Sequence, residues 1–184
     1  MEFLIILLVL VLIVGLFAIS VYNHLIRLKV QVREGEADID AQLKRRYDLI
    51  PNLVETVKGV SKFEAETMQA VIKARQNAVS ITGLGADKAE AENQLSGALG
   101  KLFALSENYP DLKSSQNYLQ LQQELTNTED RILSARRFYN TTVNDYNAYQ
   151  STFPASLFKN MAGATEAPFF EAAVSEKEPV HVQF

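Results

Sequence analysis

Apolar residues are distributed along this chain in two ways, first as an unbroken block and then at helical spacing. Residues 3–22, FLIILLVLVLIVGLFAISVY, carry no charge, and only Gly15, Ser20 and Tyr22 depart from plain apolar types. Wound as a helix they span about 30 Å, the thickness of a bilayer's hydrocarbon core. The block predicts a membrane span. Phe3, Leu4, Ile5, Gly15 and Phe17 fall inside it, while Tyr22 at its C-terminal edge has the amphipathic ring favoured at a membrane–water interface. Asn23 and His24 mark the exit from lipid. His24 reads as a polar flank rather than a ligand, because the other histidine, His181, is far away in sequence.

From Leu25 onward the spacing becomes helical with no turn signal between, through Leu28, Val32, Ile39, Leu43 and Ile50. The anchor is therefore expected to run directly into the first domain helix, a stiff connection. Gly35 weakens it by about 1 kcal/mol relative to Ala and marks a candidate bend. The stretch 42–59, QLKRRYDLIPNLVETVKG, places Leu43, Ile50, Leu53, Val54 and Val57 on one face, with Lys44, Arg45 and Asp48 largely outside it. Pro51 lies within that stripe. Its missing N–H and its ring predict a kink near Asp48–Ile50, or a helix end there. The pattern resumes with Val60, Phe63, Met68, Val71, Ile72 and Val79 and stops at the paired glycines of Ile81–Gly85. A further helix is expected from Ala86 and Asp87, burying Leu95, Leu99, Leu102, Phe103 and Leu105 until Asn108–Asp111 breaks it. The longest run, 114–152, has the stripe Tyr118, Leu121, Leu125, Ile132, Ala135, Tyr139, Val143 and Tyr146 and no Gly or Pro. It predicts one helix of about 55 Å.

These elements predict an all-α chain: an N-terminal transmembrane helix continuing into an antiparallel helical bundle with two long helices, then a loose C-terminal tail. The expected divisions are an anchor at 1–24, a bundle at 25–158 and an acidic, aromatic tail at 159–184. Phe169–Phe170 and Val180–Phe184 are apolar enough to dock on the bundle or on a neighbouring subunit, with disorder in isolation as the alternative.

Composition narrows the function. The 184 residues give room for one ordinary domain plus the anchor. With no Cys, disulfides and thiolate metal sites are excluded. A net charge of −4, with basic residues scattered and not interleaved with aromatics, argues against nucleic acid as a partner. A cleaved secretory signal is the rival reading of 3–22, since Ala18-Ile19-Ser20 has a small-x-small pattern. Met1-Glu2 lacks the basic residues of such signals, and the apolar run exceeds their core of about 7–15 residues. Arg27, Lys29 and Arg33, followed by Lys44–Arg46, crowd the C-terminal side of the span. The positive-inside rule then places the N-terminus outside and the bundle in the cytoplasm.

Candidate chemistry is sparse. The carboxylate pairs Asp38/Asp40, Glu64/Glu66 and Glu129/Asp130 have spacings that put their members on different helix faces. Di-iron bundles need Glu-x-x-His on two helices, and two histidines in all cannot supply the motif as spaced here. Phosphate-binding glycine loops and His- or Cys-based nucleophile pairs are also missing from the sequence. No catalytic, cofactor-binding or metal site is expected. The polar residues that stand out are Arg45, Arg46, Asp48, Glu129, Arg131, Arg136 and Tyr139. They either brace helix against helix or face a second subunit.

Several blocks resemble the LemA family of bacterial proteins. The stretch 42–59 resembles its first signature, and LTNTEDRILSARRFYNTTVNDYN, residues 125–147, its second; FPASLF, residues 153–158, and Phe169-Phe170-Glu171 are similar to the segments that follow. With Tyr22-Asn23 after the span, the likeness covers nearly the whole chain. It implies a membrane-anchored helical bundle in the bacterial envelope and leaves the biochemical role open. The readings that follow are a self-associating scaffold or interaction module at the cytoplasmic membrane with the lipid bilayer as partner, a regulatory adaptor of a membrane sensor or protease, and an oligomeric membrane-remodelling coat. An enzyme is disfavoured.

Overall fold

The structure, a computed structural model, describes residues 1–59 and 64–170. The apolar block and the first domain stripe form a single 57-residue helix, α1 (Glu2–Lys58). Then come α2 (Ala65–Ser80), α3 (Ala86–Ser106), the short α4 (Pro110–Lys113), the 36-residue α5 (Gln116–Ser151) and a 3₁₀ turn, Ala155–Phe158. The fold is all-α, with two long helices. Val60 and Phe63, expected on the second helical run, and Glu171 and Val180–Phe184 of the tail lie outside the described residues.

Tight contacts divide the chain into two units, Met1–Glu36 with Phe138–Ala167, and Ala37–Arg137 with Pro168–Phe184. In the first, α5 lies antiparallel to α1, with Tyr139 opposite Gly35 and Tyr149 opposite His24. Gly35 serves close packing here. A Cβ at that position would stand 3.3 Å from Tyr139 Cα, so the missing side chain admits the backbone of α5. Leu25, Val32, Tyr139, Val143 and Tyr146 form the buried seam. The chain after the 3₁₀ turn is tied down by backbone groups: Lys29 Nζ donates to the carbonyls of Ala162 (3.1 Å) and Gly163 (2.7 Å). Asn147 Nδ2 donates to the Ala167 carbonyl at 2.9 Å, and the Ala167 N–H returns to Asn147 Oδ1 at 3.0 Å. Of the tail expected from 159, the part up to Ala167 is thus held in place by polar side chains.

In the second unit the core is Ile50, Leu53, Val54 and Val57 of α1, Val71 and Ala78 of α2, Ala91, Leu95, Leu99 and Leu102 of α3, and Tyr118 and Leu125 of α5, with Leu112 from α4. Each large aliphatic group removed from water here contributes about 1.5–3 kcal/mol. Most stripe positions read from the sequence are buried. Val79 is an exception at 49% exposed, because Ala78 takes the inward position at the end of α2. The buried Tyr118 hydroxyl donates to Ser106 Oγ at 2.6 Å, linking α5 to the end of α3.

Pro51 does not end α1, which continues to Lys58. Proline has no N–H to give the carbonyl four residues back, that of Tyr47. Arg75 of α2 provides the substitute, with its Nε donating to the Tyr47 oxygen at 2.8 Å. A neighbouring helix thereby repairs the interruption that the sequence signalled.

Two outcomes are expected. Leu53→Asp places an unpaired charge at a fully buried position, so thermal unfolding should show a loss of several kcal/mol or no folded protein; a variant that melts like the parent would show this face is not core. Burial, and then the charge of Glu36, push the Tyr139 phenol up to about 12 from its ordinary value of 10.0. Tyr139 therefore keeps its proton in the fold after it has lost it in the unfolded chain. Its contribution is intact below pH 10 and is lost as pH rises from 10 towards about 12. Stability measured against pH should fall over that window, and Tyr139→Phe should make the fall shallower by about 1.4 kcal/mol per pH unit.

Candidate functional site

The second unit contains a group of charges where a core would ordinarily be apolar. In α1 the inward stripe Ile39, Leu43, Ile50, Leu53 is completed at its missing heptad position by Arg46, which is 1% exposed. In α3, seven residues before Leu95 and Leu99 come Lys88 and Glu92, also buried. Helical spacing thus turns two cations and a carboxylate inward, and burial requires that they be paired.

The pairing is dense. One terminal nitrogen of Arg46 donates to Ser96 Oγ at 2.9 Å and to the Glu129 carboxylate of α5; the other donates to the Glu92 carboxylate and, at 3.3 Å, to the Glu92 carbonyl. Only Nε among its nitrogens is buried with no acceptor. Ser96 Oγ also bonds Glu129 at 3.0 Å, closing the ring of contacts. The Tyr47 hydroxyl donates to the second Glu92 oxygen. Burial first, and then the hydrogen bond and charge of Glu92, push the Tyr47 phenol far above its usual range, so it remains a protonated donor.

Lys88 adds a separate function. Its ammonium donates to the carbonyls of Ala78 (2.7 Å) and Ile81 (3.1 Å), lies 3.0 Å from the Tyr47 hydroxyl and stands 3.5 Å from Glu92. The last turn of α2 has no basic residue of its own. Lys88 therefore satisfies the carbonyls and the negative end of that helix from α3.

Of the residues selected from the sequence, the structure brings Arg46 and Glu129 together. Arg45 pairs with Glu124 at a half-exposed position, and Asp48 pairs within its own helix with Lys44 at 2.6 Å. Arg131 is exposed, and Arg136 stacks its guanidinium 5.4 Å from the centre of the Phe170 ring. Tyr139 belongs to the other unit. In the N-terminal apolar run, Phe3, Leu4, Ile5 and Phe17 are exposed, Gly15 has nothing around it, and Tyr22 is half-buried. Sequence reasoning passed over Tyr47, Arg75, Lys88, Glu92 and Ser96. The heptad continuation through Arg46, Lys88 and Glu92 was the available signal.

Chemically, the cluster consumes its own charges. The two cations and two carboxylates face one another, and among the described residues no group of three or more His, Cys, Asp and Glu could hold a metal ion. What the arrangement does is join α1, α3 and α5 at one height, since a shifted helix would strand a buried charge. Arg46→Met should therefore cost up to about 3–5 kcal/mol by taking from buried Glu92 its guanidinium and leaving it only Lys88 at 3.5 Å and the Tyr47 hydroxyl, and adding Glu92→Leu should recover part of that loss. Glu129→Ala, at a side chain 48% exposed, should cost only about 1 kcal/mol or less. Chemical denaturation of the parent, the single variants Arg46→Met, Glu92→Leu and Glu129→Ala, and the double variant measures these; additive losses from Arg46→Met and Glu92→Leu would show that the two do not act as a pair.

The chain is 27% identical to Protein LemA of Metamycoplasma hominis over 158 residues, covering 86% of this chain and 72% of that one. It is 23% identical to magnetosome protein MamQ of Magnetospirillum gryphiswaldense and 22% identical to magnetosome protein MamQ 2 of Paramagnetospirillum magneticum, in each case over 86% of this chain and 68% of the relative. The LemA family model matches residues 35–184, which include the cluster's residues on α1, α3 and α5, and the chain belongs to the LemA family.

Proposed function

We propose that this protein is a single-pass membrane protein whose helical part is a non-catalytic, self-associating scaffold or interaction module at the bacterial cytoplasmic membrane. The observation that carries this reading is a contrast within one helix. Along α1, the large apolar side chains from Phe3 to Ile19 are all exposed, while the charged Arg46 is buried and paired. An apolar surface of that length is stable in lipid and unstable in water. The buried charges serve helix packing, which leaves them unsuited to turning over a substrate.

Self-association has support on α5. Leu119 and Leu133 are exposed by 48% and 43% and lie two heptads apart, hence on one outer face of the helix. A pair of surface leucines fits weak lateral contact, which anchoring in a membrane strengthens by raising effective concentration. Arg27, Lys29 and Arg33 after the span favour a cytoplasmic location for the chain that follows it.

The particle mass of the full-length protein in mild detergent, followed from dilute to concentrated, tests the scaffold reading. A large, uniform particle that Leu133→Asp dissociates is the expected result. A monomer at every concentration would overturn self-association and favour an adaptor that binds another membrane protein, such as a sensor or protease. Alkaline carbonate should leave the protein in the membrane fraction; its release would remove the anchor.

A further inference from the structure

The segment that follows α5 exposes more apolar surface than its position in a folded unit explains. Phe153 is 80% exposed, Leu157 70% and Met161 66%, and no other described large apolar side chain beyond the N-terminal apolar run is as open. All three flank or belong to the 3₁₀ turn, whose Ala155 is fully buried and seats it.

Its height along α1 follows from contacts within the first unit. At the end of α5, the Tyr149 ring stands edge-on to His24 with centroids 4.6 Å apart, and its hydroxyl lies 3.4 Å from the Val21 carbonyl. The chain then turns and returns to α1 at Lys29, which holds Ala162 and Gly163. Because α5 runs antiparallel to α1, the tip between these attachments points towards the N-terminal end of α1. Burial along α1 begins accordingly: residues 1–17 are exposed, Ala18 is half-buried, and Val21 and Leu25 are buried. The covered surface thus starts inside the last turns of the apolar run 3–22, where the span leaves lipid.

The chemistry of the tip fits that level. Residues 152–165 contain Lys159 and no acidic residue, and Arg27 and Lys29 lie on the adjoining part of α1. Aromatic, Leu and Met side chains enter the boundary between headgroups and acyl chains, while lysines reach anionic headgroups. We propose that this tip is a second membrane contact, in which Phe153, Leu157 and Met161 insert into the interface of the bilayer that α1 crosses and Lys159 meets its anionic headgroups. The inference rests on α1 being a membrane anchor. Gripping the bilayer at two points, the span and the tip, would set the rotation of the first unit about the span as well as its depth.

Because the chain has no cysteine, one introduced thiol reports one site. Full-length Phe153→Cys, Leu157→Cys, Val9→Cys and Phe138→Cys, each carrying an environment-sensitive fluorophore, would be reconstituted in vesicles of phosphatidylcholine and phosphatidylglycerol. Nitroxide-labelled lipids would carry the quencher either near the headgroup or deep in the acyl chains. Phe138 is the exposed control, one residue from Tyr139, which packs on Gly35 at about 20 Å along α1 from Tyr22. The proposal expects shallow nitroxide to quench sites 153 and 157 several-fold more strongly than site 138, with site 9 quenched by the deep label. Quenching at site 9 with none at 153 and 157 would overturn the tip contact and leave the anchor standing. No quenching at site 9 would overturn the anchor and the tip contact with it. Blue-shifted emission at 153 and 157 without lipid quenching would assign the tip to a protein partner, such as a second copy, and overturn the lipid contact.

Discussion

A guanidinium cannot be left dry without acceptors, and the burial of Arg46 imposes that requirement on three helices at once. Its terminal nitrogens take Glu92 and Ser96 from α3 and Glu129 from α5. An apolar side chain at the same place would pack with these helices slightly displaced along their axes, because hydrophobic contact has little directionality. A buried ion cluster tolerates much less displacement, since each slip leaves a charge desolvated and unpaired. In a unit otherwise held mainly by apolar side chains, this is the feature that selects one register.

The same unit shows how local defects are repaired from a distance. Pro51 removes one helical hydrogen bond, and Arg75 supplies a donor to the carbonyl left over. The last turn of α2 lacks a cation, and Lys88 of the next helix provides it. Lys88 also touches Tyr47, the residue whose carbonyl Arg75 holds and whose hydroxyl reaches Glu92. The proline, the helix end and the ion cluster therefore share partners, and disturbance of one is expected to be felt by the others.

The first unit uses different means. Its seam depends on close approach, with Gly35 admitting Tyr139, and on side chains that bond returning backbone, Lys29 and Asn147. Such capture orders a segment that has little regular structure of its own, and it holds the 3₁₀ turn with its apolar groups outward. Under the proposal that α1 crosses a bilayer, those outward groups would lie where water gives way to lipid, and their exposure would not be a liability.

Much of this was legible in the chain itself. Apolar periodicity located α1, α3 and α5 and most of their inward positions, and an uncharged run of bilayer length marked the exposed apolar start of α1 as a candidate span, because these signals depend only on spacing along one helix. What spacing cannot supply is which helix faces which, so the tertiary structure alone decided that Arg46 meets Glu92 and Glu129, that Arg45 meets Glu124, and that Arg75 rescues the Pro51 carbonyl. The inward placement of Arg46, Lys88 and Glu92 lay between the two: the heptad positions were visible, but charge argued for solvent until partners on other helices were known. Gly35 shows the same division, since its flexibility was apparent from its identity, whereas its use depends on the backbone of α5 arriving within van der Waals distance. Local patterns determine where a helix forms and which face is apolar; the satisfaction of a buried charge or a freed carbonyl is a property of elements distant in sequence, and only their packing settles it.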